Sequence, residues 1–394
     1  MQKKAAAAPA LMDSFAADQA GLVALRRDLH AHPEIGLEEV RTSEIVAKRL
    51  AELGYRVDKG LAKTGVVGTL KVGSGRGTVG IRADIDALPI HEATGLAYAS
   101  KTAGKMHACG HDGHTTMLLG AARKIAERRN FDGTVHLIFQ PAEENWGGAK
   151  IMMDEGLFKK FPCDRIFALH NEPGQAAGQI GYRSGPIMAA VDQVQITIRG
   201  KGGHGAQPEK AVDPIVAGAS VVMALQTIVS RNVDPLNPAV ITVGCLRAGF
   251  VCNVIPETAF MDCAIRHFDK ATGKLLRSRI DACAQAQAKS FGAKAEVSWI
   301  RGYPVTVNEE ASTDIARDTA IALLGKGKVK HIARPYLGSE DFAFMLEERP
   351  GSYVMLGNGD SAGLHNPEYN FNDDIIPVGA AYWTALAERV LRPA

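Results

Sequence analysis

The chain lacks cysteine pairs at finger-type spacing and any regular cysteine framework; its six cysteines, Cys109, Cys163, Cys245, Cys252, Cys263 and Cys283, are scattered. That excludes a disulfide scaffold, and free thiols in a reducing, cytoplasmic compartment are expected. Excess charge is lacking too. Lys+Arg 45 against Asp+Glu 43 leaves a formal net charge of +2, which offers no basic field to nucleic acid or an anionic membrane. A small-molecule partner is expected instead. No run of ~20 apolar residues is read as a membrane span. The amino terminus, MQKKAAAAPALMDSFAAD, has a short apolar run broken by Pro9 and Asp13, so a ragged tail is expected rather than a signal peptide. Internal repeats and low-complexity linkers are absent beyond the first alanines. With 394 residues, 46% of them hydrophobic, the chain is long enough for two buried cores.

The densest chemistry lies in Met106 to His114, MHACGHDGH. Cys109, His111, Asp112 and His114 offer sulfur, nitrogen and oxygen donors, a mixture that suits zinc or manganese-like divalent ions better than calcium or magnesium. Further ligands must come from elsewhere in the chain, as is usual for a catalytic centre.

Apolar residues at helical spacing over Leu22 to Leu29 and Glu38 to Leu53 predict two helices, joined by HAHPEIG. His30 and His32 in that joint are expected to be solvated or to support other groups. TVGIR (78–82) reads as a strand ending in Asp84 and Asp86, where sites gather in open α/β sheets. An amphipathic helix follows MHACGHDGH, with its positive end near the cluster. GTVHLIFQ (133–140) is a buried strand opening into Pro141, Ala142, Glu143 and Glu144. Adjacent residues point to opposite sides, so one carboxylate is free to bind metal while the other moves protons. RIFAL (165–169) is a strand that delivers His170 at its end.

From about Gly185 the pattern changes to strand, Gly-rich turn, apolar helix, two strands, helix and strand, the ferredoxin-like order. The expected fold is therefore α/β: a mixed-sheet α/β/α catalytic domain, residues 1–185 and 300–394, with an inserted ferredoxin-like α+β domain over 186–299.

RRDLHAHPEIGLEE, IRADIDALP, MHACGHDGH, FQPAEE, GKGGHGAQP, NVIPET, GSEDFA and LHNPEY together resemble the amidohydrolase branch of the dinuclear aminoacylase and carboxypeptidase family, from about Leu22 to the end. That branch includes hippurate hydrolases and plant auxin-conjugate hydrolases. The resemblance implies hydrolysis of N-acyl amino acids by two divalent ions (zinc or manganese, with cobalt or nickel allowed) held by Cys109, His111, Glu144, His170 and His365. It makes Glu143 the general base, with Asp84 and Glu340 as carboxylates that orient ligands. His107 and His114 are not expected to ligate. In the inserted domain it makes His204 the oxyanion stabiliser, often across a dimer interface, and Asn253 and Arg266 the holders of the substrate carboxylate. A homodimer or homotetramer is implied. Phe250 and Cys252 depart from the small residues usual in their loop.

The rivals are a thiol enzyme with Cys109 as nucleophile and His111 as base, and a binding protein that has kept the fold and lost catalysis. Deacetylation of N-acetyl-diaminopimelate and dipeptide hydrolysis would suit the same centre. An Arg partner implies a substrate with a free carboxylate. Phe250, Ile187, Met188 and Met345 are expected to form an apolar wall for the acyl group.

Overall fold

The apolar runs that lead to acidic residues in the sequence are central strands of one sheet. The computed structural model describes residues 7–392. Contacts divide the chain into two units, Met1–Ile187 with Val307–Arg334 and Asp341–Ala394, and Met188–Thr306 with Pro335–Glu340.

The first unit begins with α1 (Ala7–Ala16), α2 (Gln19–Ala31), α3 (Val40–Glu52), β1 (Arg56–Leu61), β2 (Gly65–Val72) and β3 (Thr78–Asp84). It continues through α4 (His111–Arg128), β4 (Gly133–Gln140), α5 (Glu143–Trp146), β5 (Arg165–Pro173) and β6 (Ile180–Tyr182). The second unit supplies β7 (Ala190–Arg199), β8 (Gly203–His204), α6 (Pro214–Asn232), β9 (Ala239–Ala248), β10 (Val254–Ile255), β11 (Thr258–His267), α7 (Lys270–Ser290) and β12 (Lys294–Tyr303). The chain returns to the first through α8 (Glu310–Leu324), β13 (Val329–His331), β14 (Gly351–Gly359) and α9 (Ile376–Val390).

The large sheet has the order β1-β2-β4-β3-β5-β14-β6-β13 and is mixed: β4, β3, β5 and β14 run parallel, whereas β2 pairs antiparallel with β4. Val79, Ile81, Val135, Leu137 and Phe139 are buried in a core shared with Leu118 of α4 and Trp383 of α9. Their alternating neighbours Ile138 and Ile166 are also buried, so both faces of these strands are covered, as parallel sheets require. Asp84 and Gln140 are paired at the carboxyl ends of β3 and β4, which places the loops that follow on one edge. His170 lies inside β5, paired with Met355, and not at the strand's end as its sequence suggests.

Two further expectations are corrected. The tail is helical from Ala7 onward, because Leu11 and Phe15, four residues apart, are buried against Ala380 and Ala381 of α9; its first six residues lie outside the described residues. α6 is long and apolar enough, by length and composition, to match a membrane span, although no such run was expected. One of its faces, with Ala217, Val221, Leu225 and Ile228, is buried in the second unit's core.

That unit is ferredoxin-like. Its strands run antiparallel in the order β9-β11-β7-β12, and α6 and α7 contribute Val221 and Ile280 to one core with Ile196 and Met261 of the sheet. A two-stranded ribbon pairs Val254 with His204.

Candidate metal centre

MHACGHDGH is divided between a loop and a helix. Gly110 ends the loop in the left-handed region at φ 92, where a Cβ would come within 2.7 Å of the Tyr369 hydroxyl and against the Asn171 amide, so only glycine fits. His111, Asp112 and His114 form the first turn of α4, so the helix starts within the cluster and its positive end faces the chain's own Asp112.

Donor atoms converge in overlapping groups, each within 4.8 Å: Cys109, Glu144 and His365; His111, Glu143 and Glu144; and Asp84, His111, His114 and His170. The Cys109 sulfur is 3.3 Å from His170 Nε2. His170 Nδ1 donates to the Asn171 carbonyl at 2.7 Å, and His111 Nδ1 donates to the Asp86 carbonyl at 2.9 Å and carboxylate at 3.1 Å. With Nδ1 spent on these acceptors, each ring is left with Nε2 to offer a cation. His111 Nε2 is buried without a hydrogen-bond partner among the described residues. Glu144 Oε1 lies 3.1 Å from His365 Nε2 without hydrogen-bond alignment.

The electrostatics ask for a cation. Burial, then the charges of Glu144, Glu143 and Asp84, hold the Cys109 thiol well above its ordinary pKa. For His111, burial is outweighed by the charge of Asp84 and the hydrogen bond to Asp86, which raise it to about 10. Carboxylates in this cluster pull a proton onto an imidazole, and a metal ion is what would replace that proton and ionise the thiol. The donor set fits divalent ions.

Glu143 and Glu144 begin a four-residue helix after Ala142, which is left-handed at φ 57. On a helical turn neighbouring residues do not face opposite ways, and both carboxylates reach His111, contrary to the strand-based expectation. Glu143 is buried and its Oε1 accepts the Asp341 N–H at 3.4 Å. His365 is also left-handed, at φ 63, and its N–H donates to the Ala108 carbonyl at 2.8 Å. Two non-glycine residues in this region beside one cluster mark a site whose surroundings dictate its backbone.

Asp86 was not singled out in the sequence as a supporting group, yet its carboxylate accepts both His111 Nδ1–H and, at 2.9 Å, the Glu144 N–H. Its place two residues after Asp84 was the available signal. Asp84 itself accepts from His114 Nδ1 at 2.6 Å and Arg82 Nη1 at 2.6 Å. His114 Nε2 meets Asn171. Its two nitrogens are thus spent on protein partners. His107 is buried outside the donor groups.

His30 lies in α2 and not in the joint, fully buried; of the two roles expected it takes the supporting one, not the solvated one. It bonds Asp112 at 2.9 Å and Glu92 at 3.3 Å, and Arg26 reaches Asp112 at 3.4 Å and Asp373 at 2.7 Å. This layer supports the first turn of α4. Burial pulls His30 down, but the hydrogen bonds to Asp112 and Glu92 raise it to about 9.

In the second unit His204 is exposed, with Nδ1 accepting the Ala206 N–H at 3.0 Å. The Gly205 N–H donates to the Asn253 carbonyl at 2.8 Å, and His204 and Asn253 share the wall of a cavity of about 460 Å³ with Glu257. Arg266 is half-buried and donates to the Leu337 carbonyl at 2.5 Å. Register places Thr258 of β11 opposite Arg199 and Arg266 opposite Val191. The His204–Asn253 ribbon adjoins the Arg199–Thr258 end in sequence, whereas Arg266 lies eight residues farther along β11, roughly 27 Å of strand from Thr258. Glu340 is buried in this unit, next in the chain to Asp341. Ile187 and Met345 are fully buried and cannot form the expected acyl wall, whereas Phe250 is fully exposed.

Residues 80–389 match the family described as Peptidase family M20/M25/M40. The chain is 42% identical over 368 residues to the hippurate hydrolase of Campylobacter jejuni, covering 93% of this chain and 96% of that protein. It is 40% identical over 372 residues to the N-acetyl-L-cysteine deacetylase of Bacillus subtilis, covering 94% and 88%. A Bacillus subtilis protein whose crystal structure is described as a dinuclear metal binding peptidase from M20 family has a TM-score of 0.84 at 35% identity, covering 95% of this chain and 99% of that one.

Two outcomes follow from this geometry. Asp86→Ala releases the His111 ring and the Glu144 N–H together, so affinity for zinc should fall by ~10- to 100-fold in competition with a chelator; unchanged affinity would contradict the role of Asp86. His30, raised from 6.5 to about 9 by folding, contributes stability that is complete below 6.5 and lost as pH rises through about 9. Urea midpoints should therefore fall more steeply over this range in the wild type than in His30→Gln, and parallel profiles would refute the assignment.

Proposed function

The chain belongs to peptidase family M20/M25/M40, and on that premise we propose that it is a metal-dependent amidohydrolase cleaving N-acyl-L-amino acids to a carboxylic acid and a free amino acid. The observation that carries this reading is the convergence of Cys109, His111, Glu144, His170 and His365 beside Glu143, a buried carboxylate the ligand set does not need. Those five residues would hold two divalent ions. Zinc or manganese suits their donors, and cobalt or nickel is compatible. Bound there, the ions supply Lewis acidity toward the amide carbonyl and the attacking water.

Glu143 takes a proton from the water as the new C–O bond forms, and returns it to the nitrogen as the C–N bond breaks. His204 donates to the carbonyl oxygen as negative charge develops on it. Arg266 pairs with the free carboxylate of the substrate, which favours α-amino acid products over amidated ones.

An N-acyl amino acid spans roughly 8 to 10 Å, less than the roughly 27 Å of strand between Arg266 and Thr258, the end that the His204–Asn253 ribbon adjoins in sequence. That separation favours a homodimer, or a homotetramer of such pairs, in which the ribbon serves the neighbouring subunit. Asn253 would then act with His204 and not beside its own chain's Arg266. The similarity to hippurate hydrolase makes benzoyl-glycine the first substrate to test, with N-acetylcysteine second. Six free thiols fit a reducing, cytoplasmic setting. The thiol-enzyme reading is disfavoured because, without a cation, Cys109 is held protonated.

Benzoyl-glycine hydrolysis should be abolished by chelation and restored by zinc or manganese, and Glu143→Gln should keep its metal while losing at least ~10²-fold in turnover. Activity indifferent to chelators but lost on alkylation would favour the thiol enzyme. Subunit exchange between inactive His204→Ala and inactive Glu143→Ala chains should restore part of the activity in mixed dimers. No recovery after exchange verified by mass would show that His204 does not serve its neighbour.

A further inference from the structure

Glu39 immediately precedes α3, far from the cluster in sequence, yet its carboxylate is completely buried. One oxygen accepts the Ala142 N–H at 2.8 Å and the other accepts the Thr64 hydroxyl at 2.6 Å. Ala142 is the residue before Glu143 and stands at φ 57, ψ 42. A side-chain-bearing residue keeps that conformation only where its surroundings impose it.

The rest of the turn is equally confined. The Gly148 N–H donates to the Ala142 carbonyl at 3.0 Å, and a Cβ on Gly148 would collide with the Pro141 carbonyl. Across from it, a Cβ on Gly65 would lie 2.5 Å from the Leu61 carbonyl and 3.2 Å from Pro141 Cδ. The Thr64 platform is itself tied down, because the Ala62 N–H donates to Glu155 at 2.8 Å.

We propose that Glu39 is the positioning residue for the general base: by accepting the Ala142 N–H it imposes the left-handed turn that aims the Glu143 carboxylate into the cluster. The proposal rests on the reading of Glu143 as that base. Burial raises Glu39 to about 7, and either protonation state serves. The carboxylate accepts both hydrogen bonds. The neutral acid accepts from Ala142 through its carbonyl and donates its O–H to Thr64. Glutamine copies the neutral form, with its amide oxygen on Ala142 and its NH2 on Thr64. Alanine leaves the Ala142 N–H without an acceptor.

The test compares wild type, Glu39→Gln, Glu39→Ala, the double variant Glu39→Ala with Ala142→Gly, and Glu143→Gln, all with measured metal content and hydrolysis of benzoyl-glycine. Glu39→Ala should keep wild-type metal stoichiometry and lose ~10- to 100-fold in kcat with KM changed by less than ~3-fold, the signature of a misplaced base. Glu39→Gln should stay within ~3-fold of wild type, and glycine at 142, which needs no support in the left-handed region, should recover at least ~5-fold of the lost kcat. Should Glu39→Ala misfold, Glu39→Met fills the volume without an acceptor and carries the same expectation. Wild-type kcat in Glu39→Ala beside an inactive Glu143→Gln overturns the proposal alone. So does a Gln variant as slow as the Ala variant, or a rate loss matched by metal loss. A fully active Glu143→Gln overturns the reading beneath it, and the proposal with it.

Discussion

A guanidinium shut away from water must have its charge and its donors met by protein, and Arg82, at the carboxyl end of β3, sets that demand. Its Nε donates to Gln140 at 2.7 Å, its Nη1 to Asp84 at 2.6 Å and its Nη2 to Asp341 at 3.1 Å. Each partner continues into the site. Asp84 holds His114, which holds Asn171 beside His170. Asp341 accepts from the Ala149 N–H and the Gln140 amide and gives its own N–H to Glu143. Gln140 ends β4 just before the turn that carries Glu143 and Glu144. Removing one member of a buried ion pair typically costs ~3 to 5 kcal/mol, so these strand ends are locked to one another.

Around that lock the cluster is built with more acceptors than donors. Asp86 fixes the tautomer of His111, Asn171 fixes that of His170, and Glu39 holds the backbone ahead of Glu143. Each device fixes a lone pair or a carboxylate in place before any ion or substrate arrives, which is the economy expected of a preorganised centre. Ala142 and His365 hold left-handed backbone as part of that arrangement.

Much of this was legible in the sequence, for physical reasons. The α/β class and the inserted ferredoxin-like order follow from hydrophobic period, and MHACGHDGH, ADID and FQPAEE stand out because polar residues at strand ends interrupt apolar runs. Less legible was what depends on chain closure. Nothing local marks Glu39 or Asp341 as acceptors for distant N–H groups, and Ala142 adopts a left-handed turn without the glycine that would announce it. Ile187 and Met345 look like pocket residues by character but are spent on the core. The short helix at Glu143 reversed the inference that adjacent carboxylates diverge, because that inference assumed a strand to the end of FQPAEE. The packing of α1 through Leu11 and Phe15 was masked by a proline and an aspartate in its sequence.

The central claim is that these locked strand ends present one donor set, Cys109, His111, Glu144, His170 and His365, that would hold two cations. Anomalous diffraction from crystals of the zinc-loaded protein, recorded on both sides of the zinc edge, tests it most directly. The account predicts two peaks within reach of the donor set Cys109, His111, Glu144, His170 and His365. A single peak, or peaks outside that donor set, would contradict it.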